Sequence, residues 1–192
     1  MDGASRRGRP ALVLALAMIA ATAILGAGMA SAQTGGATTP TDPTAPPPAP
    51  TPAAGTYTFP VAGPHTYGDG FGAARAGHTH MGQDIMAACG TPLVAVSRSI
   101  VIYRKWQGLA GNYVVLKDKR TGQSYFYAHL AVPAMVLPRQ KVQPGQQVGI
   151  VGDTGDATAC HLHFELWTKG GWYRRGHAID PLPTLQVWDS LS

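Results

Sequence analysis

The chain has 192 residues, a formal net charge of +5, seven histidines and only two cysteines. That length suits one ordinary domain with extensions, and the charge excess is too small to indicate nucleic-acid binding. Heptads and solenoid repeats are absent, which excludes coiled-coil and repeat architectures.

In chain order, Arg6, Arg7 and Arg9 precede an apolar run over residues 11–28, and Ala30-Ser31-Ala32 follows it. A basic region, an apolar run and a small-residue site form a secretory signal peptide, expected over residues 1–32 with cleavage before Gln33. A retained anchor is the competing reading, because the run is nearly long enough to cross a bilayer. The small-residue ending favours removal, which leaves a mature protein that does not span the membrane. Loss of Arg6, Arg7, Arg9 and Asp2 takes the formal charge from +5 to +3, a balance that suits a surface carrying anionic groups. Residues 33–55 are rich in Thr, Pro, Ala and Gly, with Asp42 as their only charge, and read as a semi-rigid linker.

Residues 56–192 form the folded domain. Residues 93–96, 100–106, 113–117, 124–129 and 148–151 are short runs of β-branched and aromatic residues separated by Gly-, Pro- and Asp-rich turns. No stretch keeps a 3.6-residue apolar period, so no helix is expected. The fold class is all-β, an antiparallel β-sandwich or barrel-like sheet.

The chemistry gathers on residues 159–167. His161, His163 and Glu165 alternate with Leu162, Phe164 and Leu166, so a strand here packs one side and presents two imidazoles on the other. Upstream, His80 and Asp84 stand an even number of positions apart, which an extended chain brings to one face. A catalytic zinc takes three protein ligands and keeps one position open; His80, Asp84 and one of His161 and His163 fill that set. Alternation does not decide which of the two strand histidines binds. His129 closes an apolar strand, and it and the remaining histidine are free to handle protons.

The motifs Gly82-Gln83-Asp84-Ile85, Cys89-Gly90-Thr91-Pro92, Gly111-Asn112-Tyr113-Val114, Tyr127-Ala128-His129-Leu130, Gly152-Asp153-Thr154-Gly155 and His161-Leu162-His163-Phe164-Glu165 occur in this order. The series resembles the lysostaphin-type (LytM-like) zinc metallopeptidases from about Phe59 to Pro181. The resemblance implies a β-rich duplicated hybrid motif domain and endopeptidase action on peptidoglycan, in the cell envelope or outside the cell. It implies His80, Asp84 and His163 as ligands of Zn2+. It implies His129 and His161 as the catalytic pair that polarises the metal-bound water and stabilises the tetrahedral intermediate. Ala88 stands where many members have Pro, and Ala159-Cys160 replaces a common Gly-x; neither change removes a ligand. Some relatives have lost site residues and only activate wall amidases as regulatory partners, whereas every expected position is filled here.

His78 is read as a cleft or surface histidine, and His65 and His177 as surface residues. Glu165 either orients a ligand or is solvated. In an exported domain Cys89 and Cys160 are expected to pair, fastening the loop after Asp84 to the catalytic strand. The rival, Cys160 as a nucleophile beside His161, requires a free thiol. A carrier domain of the lipoyl type, suggested by residues 142–151, lacks the lysine it would need at the Pro144-Gly145 turn.

Overall fold

The computed structural model describes residues 56–75 and 77–192. The expected signal peptide and linker, residues 1–32 and 33–55, lie outside the described residues. In chain order the strands are β1 (His65–Tyr67), β2 (Ala74–Arg75), β3 (His78–Thr79), β4 (Gln83–Ala87), β5 (Pro92–Val94) and β6 (Ser99–Gln107). There follow β7 (Gly111–Asp118), β8 (Ser124–Leu130), β9 (Lys141–Val142), β10 (Gln147–Ile150), β11 (His161–Trp167) and β12 (Ala178–Ile179). A 3-10 turn (Trp172–Arg174) separates β11 from β12, and one helix, α1 (Leu182–Asp189), follows them.

Eight strands make the main sheet, in the order β1-β4-β11-β8-β7-β6-β9 with β12 pairing the far end of β11. All its pairings are antiparallel. A two-stranded sheet of β5 and β10 and a small hairpin of β2 and β3 complete the β structure. The core lies on one face of the main sheet: Leu162, Phe164 and Leu166 of β11, Tyr125 and Tyr127 of β8, and Val114 and Leu116 of β7 pack with Leu93 of β5 and Val148 of β10. Complete burial of each such side chain contributes roughly 1.5–3 kcal/mol. The all-β antiparallel class expected from the sequence is therefore the observed one, built as a large sheet with a small second layer.

The expectation of no helix is corrected by α1. Its Leu185 and Trp188 are buried, and Trp188 stacks on Tyr57 at 5.2 Å between ring centroids. Two turns are too short to display a 3.6-residue period. Pro181 and Pro183 sit at the N-terminal end, where the missing N–H costs no helical hydrogen bond. His65 is also corrected: it is half-buried, stacked on Phe59 at 4.2 Å, with Nε2 3.4 Å from Asp189 of α1.

Candidate metal centre

The opposite face of the main sheet carries the histidines. On β11 the exposure alternates, with His161, His163 and Glu165 partly open and their neighbours buried. In register, His163 lies opposite Asp84 of β4, and directly opposite residues in an antiparallel pair project to the same side. His80 approaches from the segment between β3 and β4. Gly82 makes that approach possible: a Cβ there would collide with the backbone of Phe164. The side-chain amide of Gln83 donates to the carbonyls of Gly68 and Asp69, fixing the loop whose Gly70 carbonyl receives Nδ1–H of His80 at 2.8 Å.

Three ligand atoms converge. His80 Nε2 is 3.0 Å from Asp84 Oδ1 and 2.8 Å from His163 Nδ1, and His163 Nδ1 is 3.1 Å from the same oxygen. The outer atoms of each group are already engaged. His80 uses Nδ1–H on Gly70, His163 uses Nε2–H on Glu165 Oε1 at 3.0 Å, and Asp84 Oδ2 takes Arg75 Nη2 at 2.7 Å. Two ring lone pairs and a carboxylate oxygen thus face one another, an arrangement that only a cation between them satisfies. Without metal that cation is a proton. Burial disfavours charge on His163, but the carboxylates of Asp84 and Glu165 push its pKa up to about 9. Burial likewise opposes ionisation of Asp84, yet hydrogen bonds from His163 and His80 hold its carboxyl far below the usual range. Two imidazoles and a carboxylate with hydrogen-bonded outer partners are the donor set of a zinc site with an open position.

His129 reaches the same face by breaking the strand. Asn112 pairs with Leu130 and Val114 with Tyr127, so β8 carries one extra residue against β7. In regular alternation His129 would follow Tyr125 and Tyr127 into the core. The bulge and a left-handed backbone (φ 61°) turn it outward instead. Its ring lies 4.6 Å from that of His161. Both rings are anchored alike, Nδ1–H of His129 on the Thr154 carbonyl at 2.7 Å and Nδ1–H of His161 on the Ala159 carbonyl at 2.8 Å. Nε2 of His161 is 3.7 Å from Asp84 Oδ1, next to the three converging atoms. Burial, with smaller contributions from His161 and His163, pushes His129 down to about 4 despite the hydrogen bond to Thr154.

All five residues singled out in the sequence are therefore brought together. His78 and His177 are exposed, outside the cluster. Glu165 is an orienting partner of His163 and itself accepts Nε1–H of Trp167 at 2.6 Å. Cys89 and Cys160 are disulfide-bonded, with Cα atoms 5.3 Å apart, so Cys160 offers no thiol. Arg75 escaped the sequence reading, and Thr154 entered it without a role. Thr154 was visible as part of a motif, since its hydroxyl bonds the Leu130 carbonyl and the Asn112 N–H while its carbonyl holds His129. Arg75 carried no signal, because its partner Asp84 is reached only through the β2–β3 hairpin.

Comparison with known proteins gives the same picture. The peptidoglycan DD-endopeptidase ShyA of Vibrio cholerae is 37% identical over 91 residues, 47% of this chain and 21% of that protein. The L-Ala--D-Glu endopeptidase of Bacillus subtilis is 34% identical over 134 residues, 65% of this chain and 39% of that protein. The chain thus covers well under two thirds of these relatives. The catalytic domain of the antimicrobial peptidase lysostaphin from Staphylococcus simulans superposes with a TM-score of 0.58 at 30% identity, covering 64% of this chain and 92% of that domain. The profile of peptidase family M23 matches residues 78–181, which hold all five clustered residues, and the chain belongs to that family.

Proposed function

We propose that this protein is a secreted, zinc-dependent endopeptidase that hydrolyses peptide bonds of peptidoglycan, with residues 1–32 directing export and residues 33–55 acting as a spacer. The observation that carries the reading is the facing of His80 Nε2, His163 Nδ1 and Asp84 Oδ1, with every outer atom of those groups already hydrogen-bonded. The peptidoglycan substrate follows the name of the Vibrio cholerae relative, a peptidoglycan DD-endopeptidase, and the Bacillus subtilis relative is named for an L-Ala–D-Glu bond.

His80, Asp84 and His163 would hold the ion. A bound Zn2+ supplies Lewis acidity there, polarising a scissile carbonyl and making water easier to deprotonate. His129 and His161 do the rest through Nε2, because each Nδ1 is committed to a backbone carbonyl. His129 is neutral at physiological pH, so its Nε2 lone pair accepts a proton from the attacking water. His161, once it carries a second proton on Nε2 beside the Asp84 carboxylate, donates that proton to the developing oxyanion or to the leaving amine. Hydrogen bonds from Nδ1–H to fixed backbone carbonyls hold both rings in one orientation, so neither must reorient during the reaction.

The test is digestion of isolated peptidoglycan by the purified protein, with released muropeptides identified by mass. Cleavage is expected to vanish with a zinc chelator and to return on adding zinc. His129→Ala and His161→Ala should each lower turnover by at least about 100-fold while retaining stoichiometric zinc. His80→Ala, Asp84→Ala and His163→Ala should lose the metal. Full turnover in either of the first pair, or full zinc occupancy in all of the last three, contradicts the assignment.

A further inference from the structure

The face bearing the metal centre continues well past it. A single cross-strand row runs Glu165 on β11, Phe126 on β8, Val115 on β7 and Tyr103 on β6. Ala110, Tyr113, Val115, Phe126 and Ala128 form a second apolar cluster on this side, against which Tyr103 and Tyr173 pack. The cluster touches the metal centre directly, for the Phe126 ring is 6.4 Å from that of His163.

At the far end of the row the 3-10 turn folds over the sheet. Tyr173 is fixed by a 2.8 Å hydrogen bond to Ser124, and Trp172 stacks on Tyr103 at 5.5 Å with the rings inclined by 20°. Lys105 Nζ sits 4.7 Å from the Tyr103 ring centroid. Yet Trp172 remains 43% exposed, a large flat ring held in place without being covered. No residue of the turn is fully buried. Aromatic faces held open in this way stack on the apolar faces of sugar rings. The flanking charges all have one sign: Lys105, Lys169, Arg174 and Arg175 are exposed, and no acidic residue lies on β6 or between residues 168 and 177. Among the described residues none of these four is in an ion pair.

The separation is informative. Tyr103 lies three strand spacings from Glu165, about 14 Å at roughly 4.8 Å each. An extended peptide covers about 3.3–3.6 Å per residue, so about four residues bridge the metal centre and the platform. We propose that Trp172, backed by Tyr103 and flanked by Lys105, is a subsite for the N-acetylated amino sugar that carries the stem peptide. Bound there, the sugar places the scissile bond about four residues away, at the cross-link end of the stem, with the carboxylates of the stem directed to Lys105 and its neighbours. This subsite rests on the peptidoglycan reading given above.

The experiment compares two ligands of the intact protein by calorimetry: a disaccharide-tetrapeptide and the same tetrapeptide without sugar. The protein should bind the first at least tenfold more tightly. Trp172→Ala should reduce that ratio to within twofold, Trp172→Phe should restore most of it, and Trp106→Ala, at an exposed tryptophan away from the platform, should keep it. Equal affinity for the two ligands, no binding of either, or a ratio indifferent to Trp172→Ala overturns the subsite. Turnover of cross-linked muropeptides is scored separately. Preferential sugar binding without any cleavage removes the peptidase reading and leaves the subsite. Cleavage at the bond next to the sugar overturns the four-residue spacing.

Discussion

At His163 the choice of ring nitrogen is made by Glu165. With Nε2–H given to Glu165 Oε1, Nδ1 is the atom left for a metal, and the Trp167 indole holds the carboxylate in place from its other side. A neutral amide at this position would still accept the bond but would no longer raise the basicity of the ring. Glu165→Gln should weaken zinc binding about tenfold, the lower end of what such outer partners contribute, read by competition against a fluorescent chelator. An unchanged zinc affinity would reduce Glu165 to a solvated carboxylate. Strict alternation along β11 made His161 and His163 legible as a pair on one face, and the family resemblance, not the alternation, chose His163 as the ligand. His129 was only half legible, since strand parity sends that residue into the core, and the bulge that redirects it arises from pairing with β7, between Asn112–Leu130 and Val114–Tyr127, which no local pattern records.

Among the elements, the β7–β8 turn shows how a charge is kept inside the molecule. Asp118 is 2% exposed. Its burial opposes ionisation, but the N–H of Thr121, the Ser97 hydroxyl, the N–H of Arg120 and the Tyr125 hydroxyl together hold its carboxyl below the usual range. A depressed carboxyl contributes stability that is complete above the unfolded value of about 3.9 and is lost as pH falls through the folded one. The difference in unfolding free energy between the protein and Asp118→Asn should therefore be level at neutral pH and shrink below about pH 4. Urea titrations at several pH values would measure it, and a difference independent of pH would contradict the assignment. The strands flanking this turn were legible from their β-branched and aromatic runs. Helix α1 was not, because what fixes it is contact of Leu185 and Trp188 with the core, a tertiary effect that no local period records.

Across the whole molecule, the disulfide joins the segment after β4 to the residue before β11, closing 71 positions of chain. In the chain-entropy account a loop of that size is worth about 4 kcal/mol. The Cys89→Ser, Cys160→Ser double variant should lose up to that amount, measured as a lower unfolding free energy in urea titrations with the slope fitted separately for each protein; an unaltered free energy would show that the sheet alone holds these segments. The cysteine pairing could be anticipated from the count of two and from the expected export. The second layer of β5 and β10 could not, since pairing between runs more than 50 residues apart leaves no local trace.

The central place of β11 has a kinetic consequence. It lies between β4 and β8 and is the seam along which strands from early and late in the chain are joined. Asp84 and His163 are 79 positions apart, so the ligand set does not exist until that insertion is made. Contacts of such sequence separation form slowly, because the loop between them must close before any pairing rewards it. On the proposed ligand set, metal capture is thus a late step of folding, and a nascent chain that has not yet delivered residue 163 has no site with which to act.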